Sequence, residues 1–388
     1  MAKIGQKVRP KIRNETQSFI TDVVLPREAI CNLDKDCNEI NSLVEAGKKV
    51  IFAGRRNTGK TSLITSKVVP HYFGRNPKGL VLFVDLMGVK SISQIDRLFV
   101  GAFERAYGLA RPARVFLKKM VSILSDCRPT FSVDPITGEA SFSLALSGSS
   151  ETRRFQDILR VVDRFHSEYG ALIVLDEFQD IAAVQEAEAR MREALQNLSH
   201  DLPVVVLGSK QHLLAGIFAR PKAPFSNWGR YLTISNIPAG EYAPYINSRM
   251  KSSGHKLGLE QTEFLLGRMR HIPEAINLVC DFLQRSAFDE VNESVLLQCI
   301  VGVASERAPI YKRLLTFYSE KEVGFLRELA KVAPLMAAYS VGFISKVRMS
   351  TGSLRPLIRR LENDGIILKE ETGYEVSDPL LAQYLIRS

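Results

Sequence analysis

Lys49-Val50-Ile51-Phe52-Ala53-Gly54-Arg55-Arg56-Asn57-Thr58-Gly59-Lys60-Thr61-Ser62 runs from a short apolar strand straight into the pattern G-x-x-x-x-G-K-[ST]. Glycines let the backbone turn so that successive N–H groups point at one polyanion. The helix predicted over Ser62–Val69 adds the positive end of its dipole. Gly54, Arg55, Arg56, Asn57, Thr58, Gly59, Lys60, Thr61 and Ser62 are therefore candidates to cradle the phosphates of ATP. Within the loop, Lys60 is placed to reach the β- and γ-phosphates, and the Thr61 hydroxyl to ligate Mg²⁺.

Further apolar runs of strand length follow at Leu80–Val84, Leu172–Leu175, Val204–Leu207 and Tyr231–Ile234. Runs that are apolar at every position, rather than at alternate ones, fit strands buried on both faces. Between them, residues 92–107 put Ile95, Leu98, Phe99 and Phe103 at helical spacing, and residues 155–168 do the same with Phe155, Ile158, Leu159, Val162 and Phe165. Strands alternating with helices predict an α/β fold, a parallel sheet covered by helices. One stretch interrupts the alternation. Arg128–Asp134 and Ala140–Leu146 flank Pro135-Ile136-Thr137-Gly138, which reads as a β-hairpin inserted near 128–147.

The strand before the second chemical element is Ala171–Leu175, and it ends in Asp176-Glu177. That order is expected to set Asp176 beside the loop strand, where it can join Thr61 in holding Mg²⁺. Glu177 then lies where it can orient and deprotonate an attacking water. The next buried strand ends in Gly208-Ser209, and Ser209 can contact the γ-phosphate or that water. Lys60, Thr61, Asp176 and Glu177 together predict hydrolysis rather than nucleotide retention alone.

With these residues in place, the sequence resembles the archaeal-type ATPase family, a branch of the AAA+/STAND P-loop NTPases, over roughly residues 20–388. Leu25-Pro26-Arg27-Glu28 looks like the family's short Arg-Glu box. The loop carries one more residue than the family's usual Gly-Pro-Arg-Arg-x-Gly-Lys-Thr-Ser-Leu, and Ala for Pro. Asp176-Glu177-Phe178-Gln179 looks like its Asp-Glu-Phe-Gln. Gly208-Ser209, followed by Phe218 and by Pro224-Phe225-Ser226-Asn227-Trp228-Gly229-Arg230, is similar to its Gly-Ser…Pro-Leu-Tyr-Gly-Arg segment. The resemblance implies an AAA+/ASCE-type P-loop sheet, a sensor at Ser209 and a phosphate-sensing arginine at Arg230. Arg230 is then either a finger into a neighbouring subunit or one half of a structural ion pair. At the lid's Gly-x-Pro step this chain has His271-Ile272-Pro273, and no arginine follows at the usual sensor spacing.

After Ile237-Pro238 the strand runs stop. Helices are predicted near 240–253, 259–270, 273–285 and 289–318. Three more follow at Glu320–Val332, Val341–Arg348 and Ser353–Asn363, and then a hairpin of Ile366–Lys369 and Tyr374–Val376. Helices followed by a β-wing are a winged-helix signature. The third helix puts Leu354, Leu357, Ile358 and Leu361 on one face and leaves Arg355, Arg359 and Arg360 on the other. Lys346–Arg360 holds basic residues and no acid, which suits duplex DNA as a partner, phosphates first and guanine second.

The expected organisation is thus a basic arm over 1–20, with Lys3, Lys7, Arg9, Lys11 and Arg13. An ATPase core over 21–238, a helical lid over 239–318 and a winged-helix domain over 319–388 follow it. The length of 388 residues accommodates these domains. With 45% hydrophobic and 24% charged residues the composition is that of a globular chain, and the net charge of +10 leaves nucleic acid open as a partner. No apolar run is long enough to span a membrane and no apolar h-region follows Met1. The 5 cysteines form no C-x-x-C pair, so a cytoplasmic chain without a disulfide scaffold or structural zinc is expected. Three readings remain. One is an ATP-hydrolysing switch for the winged helix and a protein or DNA partner. The second is a DNA-associated homo-oligomeric ATPase, such as a loader, transposition or defence component. The third is a nucleotide-binding scaffold with negligible turnover.

Overall fold

The computed structural model describes residues 19–109, 127–133, 140–146, 154–370 and 372–388. The basic arm, apart from its last residues, and the turn at Pro135–Gly138 lie outside them. The chain divides into two compact units, Leu33–Ser235 and a second that joins the segment ending at Asn32 to Asn236–Ser388.

The first unit is built on strands β1 (Lys49–Ala53), β2 (Leu80–Asp85), β3 (Cys127–Val133), β4 (Ala140–Leu146), β5 (Ala171–Asp176), β6 (Val204–Gly208) and β7 (Arg230–Thr233). Five of them pair in parallel in the order β2-β5-β6-β1-β7. The inserted hairpin is the antiparallel pair β3 and β4, with Phe131 opposite Phe142. Strands β5 and β6 are buried at every position, which is why their sequences are apolar without alternation. Ile95, Phe99 and Phe103 of the helix Ile92–Leu109 and Phe155, Leu159 and Val162 of the helix Arg154–Tyr169 pack into the sheet core.

The order of strands corrects one expectation. Asp176 does not end a neighbour of the loop strand, because β6 lies between β1 and β5. A strand buried at every residue gains most from a central place in the sheet, and β6 takes it.

The second unit opens its helical part with Ala239–Arg249, Leu259–Arg268 and Pro273–Arg285. The single helix expected over 289–318 is two, Glu293–Glu306 and Ala308–Leu315, because Pro309 in the first turn of the second cannot donate to the helix before it. Phe19–Asn32 belongs to this unit: Asn277 donates to the Ile20 carbonyl at 3.3 Å and Tyr245 Oη to the Ala29 carbonyl at 2.9 Å. Within the Arg-Glu box the Glu28 carbonyl accepts from Arg249 at 3.0 Å.

The winged-helix part has helices Glu320–Val332, Val341–Val347 and Thr351–Asn363, then β8 (Ile367–Glu370) and β9 (Gly373–Val376). Ser350 caps the third helix by accepting from the Ser353 N–H, so this helix starts before the expected Ser353. A fourth helix, Pro379–Arg387, was not expected. Its signal was present in Asp378-Pro379, an N-cap whose carboxylate accepts from the Leu380 N–H at 2.8 Å. It lies against Glu293–Glu306 and Glu320–Val332.

Candidate nucleotide-binding site

The loop Gly54–Gly59 leaves the tip of β1, and the helix that begins at Lys60 continues through a π-helical turn at Ile64–Val68 to Arg75. Gly59 holds φ +90°, a left-handed conformation without side-chain cost only for glycine, and Asn57 also has a positive φ of 63°. Gly54 ties the loop to the next strand tip by donating its N–H to the Gly208 carbonyl at 3.2 Å. Thr58 Oγ1 donates to the Arg55 carbonyl at 2.7 Å, which closes the loop on itself. The backbone N–H groups of Asn57, Thr58 and Gly59 donate to no backbone group among the described residues. Arg55 is half-buried and Arg56 exposed.

Lys60 is 5% exposed and folds over its own loop, its Nζ donating to the Gly54 carbonyl at 2.8 Å and the Arg55 carbonyl at 2.7 Å. Burial pushes its ammonium down to about 8, against the pull of the Glu177 and Asp176 carboxylates. Thr61 Oγ1 donates to Asp176 Oδ2 at 2.7 Å. The hydroxyl thus bridges the gap that β6 opens between the two strands. Asp176 Oδ1 accepts from the Glu177 N–H at 2.8 Å. Burial raises the Asp176 carboxyl from its ordinary value, partly offset by the Thr61 hydrogen bond.

Glu177 adopts φ 48° and ψ 41°, and this left-handed step turns the chain into the 3₁₀ helix Phe178–Ala183. The turn sends Phe178, which is fully buried, against Phe218 and Phe225, with ring centroids at 5.6 and 5.3 Å. It leaves the Glu177 carboxylate at the strand tips, where its Oε2 accepts from Ser209 Oγ at 2.6 Å and from Gln179 Nε2 at 2.5 Å. The structure therefore brings Lys60, Thr61, Asp176, Glu177 and Ser209 to one end of the sheet. Sequence reasoning gave Gln179 no role, although it stands in the quoted Asp-Glu-Phe-Gln motif. It also passed over the pair Asp180–Lys210 (3.5 Å) beside that motif.

Arg230 is not brought to this cluster. It opens β7 opposite Val50, whereas the loop leaves β1 at Ala53, the partner of Thr233. Its side chain is 64% exposed and meets Glu39 at 3.4 Å. In the winged helix, Leu354, Leu357, Ile358 and Leu361 are buried, and Arg355, Arg359 and Arg360 are exposed. Arg360 departs from the expected free face: it pairs with Glu322 at 2.9 Å, donates to the Phe317 carbonyl at 3.1 Å and stacks on Tyr318. An arginine within reach of a carboxylate and a free helix-end carbonyl takes both. At the lid step, Arg270 and His271 both have positive φ, 52° and 55°, and His271 stands at the glycine of the Gly-x-Pro pattern. Arg270 reaches Glu375 at 3.2 Å and donates to the Val376 carbonyl.

The profile of a probable winged helix domain matches residues 309–387. Among solved structures, the Walker-type ATPase of Pyrococcus abyssi is similar at 15% identity, with a TM-score of 0.61 over 95% of this chain and 99% of that one. The ORC2 protein of Aeropyrum pernix, in ADPNP–ADP complexes, is similar at 15% identity, with a TM-score of 0.53 over 95% of each chain. No curated protein matches. The chain has the fold of the P-loop ATPases, a five-stranded parallel sheet with helices, and carries a winged-helix domain at its C-terminal end. Archaeal Walker-type ATPases are among its structural neighbours, as the motifs implied. Among the described residues no helix is long and apolar enough to cross a membrane.

Proposed function

We propose that the chain binds ATP with Mg²⁺, hydrolyses it, and uses its nucleotide state as a switch for the winged-helix domain. The observation that carries the reading is the 2.7 Å hydrogen bond between Thr61 and Asp176, which unites the loop with a strand tip 115 residues away. A hydroxyl and a carboxylate oxygen are the donors a Mg²⁺ shell takes. The uncommitted N–H groups of Asn57, Thr58 and Gly59, with Lys60 above them, suit the β- and γ-phosphates. Bound by Thr61 and Asp176, Mg²⁺ would neutralise charge developing on the phosphate oxygens.

The chain's own groups supply the rest. Lys60 gives up the Gly54 and Arg55 carbonyls for phosphate oxygens. Glu177 takes a proton from a water aligned on the γ-phosphorus, with Ser209 beside it. The water oxygen bonds to phosphorus as the bond to the β–γ bridging oxygen breaks. ADP, inorganic phosphate and the proton held on Glu177 then leave. In support of the switch, the lid helices and the winged helix lie in one compact unit. Arg270 to Glu375 and Tyr311 Oη to Asp378 (2.9 Å) tie them together. A displaced lid carries the winged helix with it. An ATPase assay with and without duplex DNA, combined with mass measurement in each nucleotide state, tests the reading. Absence of turnover under every condition leaves only a nucleotide-binding scaffold.

The exposure of Arg230, away from the phosphate end of its own sheet, favours a role in a neighbouring copy within a homo-oligomer. Arg230→Ala is expected to lower turnover by at least ~10-fold, toward the scale of a transition-state arginine, while ATP affinity of the monomer stays unchanged. Mixed with a Lys60→Ala chain it should recover part of the activity, because each variant supplies the half-site the other lacks. Absence of rescue in a verified mixed oligomer assigns Arg230 to its Glu39 pair.

For the winged helix, duplex DNA is the partner its basic face suits. Arg355 and Arg359 carry the proposal, and Arg360 does not, since it is spent on Glu322. Arg355→Ala/Arg359→Ala should reduce the slope of log K against log salt by roughly 2, at ~0.9 per phosphate contact. Basal turnover should be unchanged. A wild-type slope gives the face to a protein partner.

A further inference from the structure

We infer that Gln179 is a positioning residue for the Glu177 carboxylate, an inference that rests on the hydrolytic reading of the site. Gln179 is 1% exposed and lies between two carboxylates. Its Nε2 donates to Glu177 Oε2 at 2.5 Å and to Asp180 Oδ1 at 3.3 Å. A primary amide has two N–H bonds on one nitrogen, and here it has one carboxylate for each. That assignment also fixes which end of the side chain faces them, since a carbonyl turned toward two carboxylates would be repelled by both.

The arrangement is anchored on three sides. Asp180 accepts from the Gly88 N–H at 2.8 Å, just beyond the tip of β2, and from Lys210 Nζ at 3.5 Å, just beyond the tip of β6. The neighbouring Phe178 is locked into its aromatic cluster. On the remaining side is Gly208, where a Cβ would stand 2.6 Å from Gln179 Oε1. That carbonyl is buried without a hydrogen-bond partner among the described residues. A buried amide that leaves its own carbonyl unpaired costs stability, so its presence points to the bonds its nitrogen makes.

Those bonds decide how Glu177 can act. Ser209 Oγ and Gln179 Nε2 both approach Oε2, and among the described residues no hydrogen bond reaches Oε1. Oε2 is thereby pinned and Oε1 is left as the oxygen that accepts the proton of the attacking water. A carboxylate on a flexible stem would otherwise sample several rotamers, and a general base works only within hydrogen-bond reach of its water. Ser209 alone could hold Oε2 from one side. The amide adds the second direction that stops the group from rotating.

The test is a kinetic cycle on the full chain. Gln179→Met keeps volume and shape but removes both N–H donors. It is expected to lower kcat by about 10- to 100-fold, the scale of a misplaced catalytic group, with KM for ATP within about 2-fold of wild type. In the Glu177→Gln background the same change is expected to cost nothing further, because it acts through the carboxylate already lost. Wild-type kcat in Gln179→Met overturns the inference, as does an equal loss of kcat in both backgrounds. Should the Met variant fail to fold, Gln179→Asn answers by the same criteria, since its amide is drawn back by one methylene. A wild-type chain without turnover removes the hydrolytic reading itself, and with it the base that Gln179 would position.

Discussion

Lys60→Ala is expected to abolish ATP binding: calorimetry that registers a nucleotide complex with the wild-type chain should register none with the variant. Lys60 is 5% exposed, and its charge already sits over the loop in contact with the Gly54 and Arg55 carbonyls. Bringing it to phosphate needs only an exchange of acceptors. Burial holds its ammonium down at about 8 against the pull of the Glu177 and Asp176 carboxylates, and a phosphate anion adds negative charge that favours the protonated form. Charge-assisted hydrogen bonds contribute about 1.5–3 kcal/mol each. Losing two of them amounts to roughly 10²- to 10⁴-fold in affinity. The variant also removes a cation that offsets the charge of Glu177 and Asp176, which adds repulsion toward the incoming phosphates. Thermal unfolding in the absence of nucleotide checks that the fold survives. A variant that folds and still binds ATP tightly overturns the assignment of the loop.

Glu177→Gln separates binding from chemistry. Glutamine has the shape of glutamate and can still accept from Ser209, and neither Thr61 nor Asp176 is touched. ATP and Mg²⁺ should therefore bind as before, while turnover falls by at least ~10²-fold, the usual contribution of a positioned base. That loss corresponds to about 2.7 kcal/mol in the barrier. Phosphate release in a single turnover, measured beside nucleotide retention, reads both halves. Turnover at the wild-type rate would reduce Glu177 to the residue that starts the 3₁₀ helix Phe178–Ala183.

Much of this site was legible because its signals are local. A strand buried on both faces must be apolar throughout, so β1, β5 and β6 stand out in the sequence as unbroken runs. A tight loop between a strand and a helix needs glycine where φ is positive, and Gly59 at +90° is one. Gln179 was visible as a letter of a motif and silent as to role. Its partners are a carboxylate two residues back, a carboxylate one residue on, and a glycine from another strand. Only the left-handed turn at Glu177 folds these onto one another. The final helix Pro379–Arg387 was missed for a different reason. Its cap is local, but its apolar face is short and is completed by the helices Glu293–Glu306 and Glu320–Val332.

By itself the sequence determined the α/β class, the glycine-containing loop Gly54–Gly59, the carboxylate pair at the end of β5 and the winged-helix order of elements. The single elements behind each of these are read from short local stretches, and from periodicity that burial imposes directly. Tertiary structure alone decided that β6 separates β1 from β5, and that Thr61 spans the gap to Asp176. It turned Arg230 away from the end of its own sheet where Thr61 meets Asp176, drew Arg360 onto Glu322 and fastened Arg270 to β9. These outcomes rest on pairings between residues 38 to 191 positions apart, as with Arg360–Glu322 and Arg230–Glu39. An exposed arginine takes whichever carboxylate or carbonyl the packed backbone brings within reach, and a single sequence does not say which one that is.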